Sequence, residues 1–491
     1  MALHGDYLKT QYKKSRIILI SPYPDSGLTD MNEPPHGLAY IASYLRANGY
    51  GVEGIDAKHR RLKTHHVIRE AADRNPGLVG ITSMTPDIIW AAKIAQGIKA
   101  ALPQAVTVAG GPHVTALPKE TLEEFPSIDI GVIGEGEFTM LELAEGLENG
   151  NLSSTLSEIK GIAFRNGSEI ILTPQKEPIT NLDILPFPAW DIFPFSHKKA
   201  YPIYATRGCP FKCKFCQRVL GERVRRRSVE NIVEEIEWVI DTFKTKGFWF
   251  ADETFGIGLK WTYQLLDHMI EKRIASRAVW FSQTRVDIVT EELLIKMKQA
   301  GCDGLALGVE SGNQDILIKT GKNIRLEDAE RATALAKKVG IKTRSFFILG
   351  HPYETIETIK DTINFATKLN TDYVSFAVMV PYPGTEVMQL AKRGEAGYSY
   401  VSQNWDDFRK HLAAPLGFDS ISPETLRNLD KRAYVTFYWR NRRWYDLIRF
   451  LWEHRSSIRA YVMNRITAGL KNPTFDRLRK TKTHKLEAKK S

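Results

Sequence analysis

Short apolar runs alternate with helical patterns along most of this 491-residue chain, and they fall into two blocks, five runs within residues 16–145 and six within residues 201–379. Such alternation confines each block to a largely parallel sheet covered by helices, because parallel neighbours need a long crossover that a helix supplies. In the first block the strands read as Arg16–Ser21, Gly51–Asp56, Leu78–Thr82, Ala105–Ala109 and Ile128–Ile133, with a helix from Gly37 closed by Gly49. In the second they lie near 201–206, 246–251, 278–282, 303–309, 343–349 and 373–379. The helix after the first of these shows Val229, Ile232, Val233, Ile236 and Ile240 on one stripe. The first block reads as an open α/β sheet and the second as a six-unit partial barrel. In both, ligands collect at the C-terminal ends of the strands, so the residues there are the site candidates.

One strand end carries metal chemistry. The run at 201–206 leads into Arg207-Gly-Cys-Pro-Phe-Lys-Cys-Lys-Phe-Cys216, which holds three of the four cysteines of the chain, Cys209, Cys213 and Cys216. Structural zinc takes four protein ligands, commonly as two pairs. A cuboidal iron–sulfur cluster normally takes four thiolates, so three from one loop leave an iron open to a small molecule. A zinc site completed by His197, or a chance trio of structural thiols, remains the alternative. The fourth cysteine, Cys302, sits at a strand start and reads as a small buried residue. Cysteine usage this sparse argues for a reducing compartment. With no run of ~18 apolar residues and no apolar core at the N-terminus, a cytoplasmic location is expected.

The other strand ends are polar or glycine-rich. In the first block they are Ser83-Met84-Thr85-Pro86, Gly110-Gly111-Pro112-His113 and Gly134-Glu135-Gly136-Glu137. Glycines there let a bulky ligand approach the backbone, although each loop alone also reads as a tight turn. A dinucleotide fingerprint, Gly-x-Gly-x-x-Gly, is absent after the first strand. In the second block they are Asp252-Glu253, Glu310-Ser311, Gly350-His351-Pro-Tyr-Glu354 and Pro381–Thr385, with Arg285 in Ser-Gln-Thr-Arg-Val-Asp. Carboxylates offer only acceptors, which suits an ammonium or a pair of hydroxyls. Salt bridges at the barrel mouth are the plainer reading of Glu253 and Glu310, and Arg285 either positions a ligand or ties strand to helix.

The cysteine loop, with Phe215 before its last cysteine, resembles that of the radical S-adenosylmethionine (SAM) enzymes. Pro34-Pro-His-Gly-Leu-Ala-Tyr-Ile-Ala42, Gly110–His113 and Gly134–Glu137 resemble the cobalamin-binding domain that precedes the cluster domain in one large branch of that family. That branch includes methyltransferases and the anaerobic magnesium-protoporphyrin ester cyclases. The resemblance implies a Rossmann-like cobalamin domain, a radical SAM partial (β/α)6 TIM barrel, and three cofactors: a 4Fe–4S cluster, SAM and cobalamin. It assigns the cluster to Cys209, Cys213 and Cys216. SAM contacts fall to Phe215, Asp252, Glu253, Arg285, Glu310, Ser311 and Gly350, with Asp252-Glu253 toward the amino group, Glu310 toward the ribose or methionine portion and Gly350 toward the adenine. Cobalamin contacts fall to Ser83, Met84, Thr85, Gly110, Gly111, Pro112, His113, Gly134, Glu135, Gly136 and Glu137. One departure matters: cobalamin proteins that ligate cobalt with histidine carry Asp-x-His-x-x-Gly after the first strand, and here that loop is Pro22-Tyr-Pro-Asp-Ser-Gly27. Cobalamin is therefore expected without a histidine ligand, and His59, in Asp56-Ala-Lys-His, reads as a surface residue.

By the same resemblance, SAM is cleaved to a 5′-deoxyadenosyl radical that takes hydrogen from an unactivated carbon, and a second SAM supplies methyl through cobalt. An electron donor such as flavodoxin or ferredoxin is implied. The alternatives are an oxidative cyclase and a non-enzymatic cobalamin or iron–sulfur sensor; the SAM-site constellation counts against the latter. No side chain is singled out as a catalytic acid or base.

The expected organisation is a cobalamin domain over 1–145, a connector over 146–198 with a hairpin at Asn166-Gly167, a barrel over 199–390 and a helical, basic region over 391–491. Trp405, Phe408, Leu416 and Phe418 are expected to cover the active site. The net charge of +11 belongs to the tail: from Thr425 onward there are 18 Lys/Arg against 5 Asp/Glu. Ala433–Trp452 mixes aromatics and arginines at helical spacing, which suits peripheral contact with an anionic membrane and a lipophilic substrate such as a lipid or tetrapyrrole ester. Stacking on nucleic acid is the weaker reading, and a helix packed with a solvated basic face is the plain one. The run Arg477–Ser491 is expected to stay unstructured.

Overall fold

A computed structural model describes residues 14–27, 34–193, 200–410 and 415–453. His197 and Arg477–Ser491 lie outside the described residues. The described chain divides into a unit ending at Lys431 and a second beginning at Arg432.

The first sheet contains β1 (Lys14–Ser21), β2 (Tyr50–Asp56), β3 (Leu78–Thr82), β4 (Val106–Gly110), β5 (Ile130–Val132), β6 (Ile162–Asn166) and β7 (Glu169–Leu172), in the order β2-β1-β3-β4-β5-β6-β7. The first five strands are parallel, and β6 joins β5 antiparallel. The hairpin expected in the connector is thus an edge of this sheet, which continues past residue 145. Its reason is apolar: Ile162, Ala163 and Phe164 are buried against the sheet edge. Central strands are apolar without alternation, as sheets covered on both faces require. Ile18, Ile20, Val79 and Ile81 pack with Ala91, Ile94, Ala95 and Ile98 of the helix Ile88–Ala101.

The second sheet follows. Strand β8 (Tyr201–Ile203) is shorter than expected, because the chain breaks at Tyr204-Ala205. After the break, β9 (Thr206–Arg207) pairs antiparallel with β10 (Arg225–Arg226), closing a two-rung clamp around the cysteine loop. Then come β11 (Gly247–Phe250), β12 (Val279–Arg285), β13 (Cys302–Glu310), β14 (Lys342–Leu349) and β15 (Tyr373–Val378), giving the parallel order β15-β14-β13-β12-β11-β8. The helix Val229–Phe243 starts where the Ser228 side chain accepts from the Asn231 N–H, and it buries Ile232, Val233, Ile236, Val239 and Ile240. Cys302 is a core residue as expected: burial pushes its thiol up to about 12.

The C-terminal region is helical only in part. An antiparallel pair, β16 (Tyr398–Val401) and β17 (Leu416–Phe418), precedes the helices Pro423–Arg440 and Trp444–Glu453. Tyr398, Phe408 and Leu416 are buried with Met379, Val380 and Met388 of the barrel, which explains why this stretch lacks barrel rhythm yet is ordered. No described helix is long and apolar enough to cross a membrane.

Candidate active site

The cysteine loop is held from several sides. Gly208 at its base has φ +96°, and a Cβ there would sit 2.3 Å from the Arg223 carbonyl oxygen, so only glycine fits. Backbone N–H groups of Cys209 and Lys214 donate to the carbonyls of Gly221 (3.1 Å) and Thr320 (2.9 Å). Arg285 forks onto Asp287 at 3.0 and 2.9 Å, donates to the Lys322 carbonyl, and lies 3.8 Å from the ring centre of Phe211 inside the loop. Its guanidinium braces the loop, the second of the two roles expected of it. Phe215 packs edge-on to His351 at 5.4 Å and fastens the far side of the loop to the end of β14.

The three thiols lie close enough to influence one another, Cys209 and Cys213 in half-buried residues and Cys216 in an exposed one. Burial raises Cys216 to about 12, and the nearby Cys213 and Cys209 raise it further. Cys213 is raised by burial as well, against the opposing influence of Lys322 and Arg285. Such crowding favours a positively charged occupant that draws off the protons. Among the described residues no three His, Cys, Asp or Glu side chains are already drawn together around a metal position. Three thiols on one loop fit a three-thiolate cluster with an open iron.

The carboxylates at the strand ends divide. Asp252 is 1% exposed. It accepts from the Ala205 N–H (2.8 Å), the Thr206 N–H (3.1 Å) and the Thr206 hydroxyl (2.8 Å). It fixes the break between β8 and β9, and burial pushes it up to about 7. Its neighbour Glu253 keeps Oε2 buried and without a partner, close to the Gly208 N–H and to Arg207 and Arg225. That oxygen is a ready acceptor for an ammonium. Glu310 has φ +73° and pairs with Lys322 at 3.0 Å, its side chain folded over Gly308. Ser311 is buried and bonded to the Thr362 hydroxyl and the Asn313 N–H, a structural role rather than the expected ligand contact.

At φ +93° the missing side chain of Gly350 leaves room for Phe418 (2.9 Å from an ideal Cβ) and Leu426 (3.2 Å). The Tyr398 hydroxyl donates to its carbonyl at 2.9 Å, and Glu354 accepts from its N–H and that of His351. Sequence reasoning passed over His351 as a site residue. It lies buried between Phe215 and the Glu310 carbonyl (3.3 Å), with Nδ1 unpartnered, and burial lowers it to about 4. Its place directly after the glycine that ends β14 was the available signal.

At the C-terminal edge of the first sheet lies a cleft of about 160 Å³, partly open to solvent. It is lined by Gly37, Gly110, Gly134 and Gly136, with Tyr40 and Met140, and by Tyr204, Arg207 and Leu220 from the barrel. A Cβ at Gly37 or Gly134 would meet nothing within 4 Å, so glycine there keeps the cleft open for a large group such as a corrin. Gly111, by contrast, is glycine for packing: at φ +102° its Cβ would press the Ser83 carbonyl oxygen at 2.8 Å. Ser83 is itself buried, with N–H and hydroxyl both donating to the Gly110 carbonyl, so it joins two loops instead of meeting a ligand. Pro112 starts the short helix Pro112–Ala116. Thr85 is buried with its hydroxyl unpartnered, and Met84 is exposed.

His113 is buried edge-on to Trp405 at 4.8 Å and lowered to about 4 by burial. Trp405 also donates to Glu124 at 2.9 Å, and Arg409 to the Pro86 carbonyl at 3.0 Å. The C-terminal segment therefore packs on strand ends of both sheets, Phe418 against Gly350 and Trp405 against His113. His59 is exposed, as expected.

Glu135 and Glu137 join the two sheets. Arg207 pairs with both at 2.7 Å, and Arg225 pairs with Glu135 at 2.6 Å. Burial alone would lower the Arg207 guanidinium, but Glu137 and Glu135 more than offset it and hold it charged. Both carboxylates line the cleft, yet their charge is spent on arginines flanking the cysteine loop. Their partners lie 70 to 90 residues away, beyond the reach of a motif reading.

These features define an enzyme with a cluster loop and a cofactor cleft joined through Arg207. The Radical SAM superfamily model matches residues 203–366, and the B12 binding domain model matches residues 29–144. A protein of Pyrococcus horikoshii named as an uncharacterized methyltransferase is 32% identical over 474 residues, covering 93% of this chain and 98% of that one. The anaerobic magnesium-protoporphyrin IX monomethyl ester cyclase of Rubrivivax gelatinosus is 33% identical over 389 residues, 76% of this chain and 69% of that one. The solved structure of the radical S-adenosylmethionine methyltransferase TsrM of Kitasatospora setae aligns with a TM-score of 0.67 and 22% identity, over 78% of this chain and 77% of that one. The cobalamin-dependent S-adenosylmethionine radical enzyme OxsB aligns with a TM-score of 0.68 and 20% identity, over 86% and 66%. The chain belongs to the cobalamin-binding radical SAM family. It is an enzyme of the radical SAM methyltransferase kind, with a 4Fe–4S cluster, SAM and cobalamin as its cofactors.

Proposed function

We propose that this enzyme methylates an unactivated carbon of a small lipophilic substrate held between the cobalamin cleft and the barrel mouth. The observation that carries the reading is Arg207, which lines the cleft and forms the base of the cysteine loop. The bound cofactors supply the reductive cleavage of SAM and the methyl carrier. Cys209, Cys213 and Cys216 hold the cluster, and Glu253 accepts the SAM ammonium. Lys322 holds Glu310 toward the hydroxyls, Gly37 and Gly134 admit the corrin, and Phe418 and Trp405 exclude water. Turnover of the holoenzyme with methyl-labelled SAM tests this: a product one CH₂ heavier and carrying label is expected, whereas cyclisation adds no methyl. A product lacking label sinks the reading.

A bound cobalamin would find no histidine to ligate its cobalt from below, since the loop Pro22–Gly27 contains none and His59 is exposed. The electron paramagnetic resonance spectrum of the cob(II)alamin form should lack nitrogen splitting; splitting that vanishes in His59→Ala would reverse this. The electron donor is a flavodoxin or ferredoxin, and the enzyme works in the cytoplasm, peripheral to the membrane. In the helix Trp444–Glu453, Trp444, Tyr445, Ile448, Leu451 and Trp452 are all exposed and fall on one helical stripe. Charge reversal at Arg442, Arg443 and Arg449 should reduce co-sedimentation with phosphatidylglycerol vesicles. Equal binding to neutral and anionic vesicles, or none, removes the membrane contact.

A further inference from the structure

The strip Thr320-Gly321-Lys322, between the helices Gln314–Lys319 and Leu326–Val339, runs along the cysteine loop. The Lys214 N–H donates to the Thr320 carbonyl at 2.9 Å, and a Cβ on Gly321 would sit 2.7 Å from the Lys212 carbonyl oxygen. So close a backbone approach, at φ +69°, requires glycine. It also delivers the next side chain, Lys322, to the loop. Arg285 closes the contact from the other side, donating to the Lys322 carbonyl at 2.9 Å while it lies over Phe211.

The Lys322 side chain is 7% exposed and pairs at 3.0 Å with that of Glu310, 12% exposed. Gly308 of β13 is the slot for the pair: a Cβ there would meet Glu310 Oε1 at 2.6 Å and Lys322 Nζ at 2.9 Å. Of the charged side chains around the loop, Lys322 bears most on Cys213, whereas Glu310 outweighs it at Cys216. The ion pair therefore lies along the cluster position, its ammonium toward one thiol and its carboxylate toward another. The other cations of the loop count for less. Lys214 and its partner Glu386 are partly exposed, so water screens them, and Arg285 is held by Asp287. A buried ion pair gains little stability for its desolvation cost. Beside a redox centre it has another use, because one-electron reduction adds negative charge to the cluster and fixed charges out of water are poorly screened.

We propose that Lys322 and Glu310 set the reduction potential of the cluster, the ammonium favouring the reduced form and the carboxylate opposing it. The electron comes from a low-potential one-electron donor, which is oxidised as the cluster is reduced, and no bond or proton changes hands in that step. This role goes beyond the reading that Lys322 orients Glu310. It requires the cluster on Cys209, Cys213 and Cys216, and it stands whether or not the product is methylated.

The test is a mediated redox titration of the holoenzyme with titanium(III) citrate, without added SAM, followed by the electron paramagnetic resonance signal of the reduced cluster. Lys322→Met should make the cluster about tenfold harder to reduce, a downward shift of about 59 mV for one electron, and Glu310→Gln should make it about tenfold easier. The double variant should return to within about threefold of the parent, since the two substitutions remove both members of one pair. Iron of about four per chain and an unchanged line shape certify the cluster in each variant. A pair that only braces the loop would shift both single variants in the same direction or neither, and that result overturns the proposal. If one variant fails to load iron, the sign of the shift in the other decides; if neither loads, the pair is a structural clamp and the proposal falls. Failure of the methylation reading would appear separately, as unlabelled product with these opposite shifts intact.

Discussion

The seven-stranded sheet keeps both faces covered, and Ile17, Ile18, Leu19 and Ile20 are buried in succession along β1, whereas β12 of the barrel alternates buried and exposed residues. A sheet with no free face can offer a ligand only its edge, and here that edge is a glycine cleft with little reactive chemistry. The barrel offers an edge and a face. The first arrangement suits a cofactor that brings its own chemistry and stays; the second suits a substrate that must be recognised and released. At their edges the two sheets behave alike. Each buries a histidine beside an aromatic, His113 by Trp405 and His351 by Phe215, both lowered to about 4 and so neutral at neutral pH. Each also spends acidic side chains on internal cations, Glu135 and Glu137 on Arg207, and Glu310 on Lys322.

The largest expected effect separates the two sheets outright. Cys213→Ala should drop reconstituted iron from about four per chain to near none and abolish SAM cleavage, while cobalamin uptake stays. Loss of cobalamin along with iron would show that the first sheet depends on the loop, against the comparison. Arg207→Ala attacks the link instead. It leaves Glu137 buried without its cation and Glu135 with Arg225 alone, at a cost of about 3–5 kcal/mol in urea unfolding. Adding Glu137→Gln, which leaves Glu135 on Arg225, should return most of that loss. A single-variant cost below about 1 kcal/mol would mean that the sheets are held together elsewhere.

Local pattern carried the fold, and distance hid much of the site. The strand runs of both blocks and the cysteine loop are legible because period and spacing are properties of neighbouring residues. The antiparallel attachment of Ile162–Asn166 to β5 is not, since an apolar hairpin does not name the edge it joins. Gly111 and Gly350 also make room for Ser83 and for Phe418, protein groups that only folding brings there. Partners of the acidic residues were hidden for the same reason. Asp252 and Glu137 stand at strand ends as ligand contacts do, and the backbone of Ala205 and Thr206 and the guanidinium of Arg207 take them up.

A smaller effect sharpens the cleft. Gly37, whose Cβ would point into open space beside the cofactor, should tolerate alanine without loss, because alanine favours the helix His36–Ala47. Gly37→Phe should fill part of the cleft and weaken cobalamin binding about tenfold, or about 1.4 kcal/mol, with iron content and melting temperature unchanged. Equal cobalamin affinity in both variants would place the corrin elsewhere along the strand ends.

The smallest effect is a slope. Glu354, buried beneath β14, is raised from its ordinary 4.5 to about 8, first by burial and against the two backbone N–H groups it accepts. Below pH 4.5 both folded and unfolded chains hold its proton, so its contribution is fully present. Between 4.5 and 8 the unfolded chain releases that proton while the folded chain keeps it, and stability falls as pH rises until the folded pKa is passed. Asp252 and Asp430, each raised to about 7, tilt the curve the same way in every variant. Glu354→Gln keeps an acceptor for the Gly350 and His351 N–H groups but has no proton to lose. Its melting temperature should match the parent near pH 5 and exceed it by about 1–2 °C near pH 8, a modest shift for a chain of this length. Parallel curves across that range would mean that Glu354 is already ionised in the fold, its charge met by the N–H groups at the end of β14.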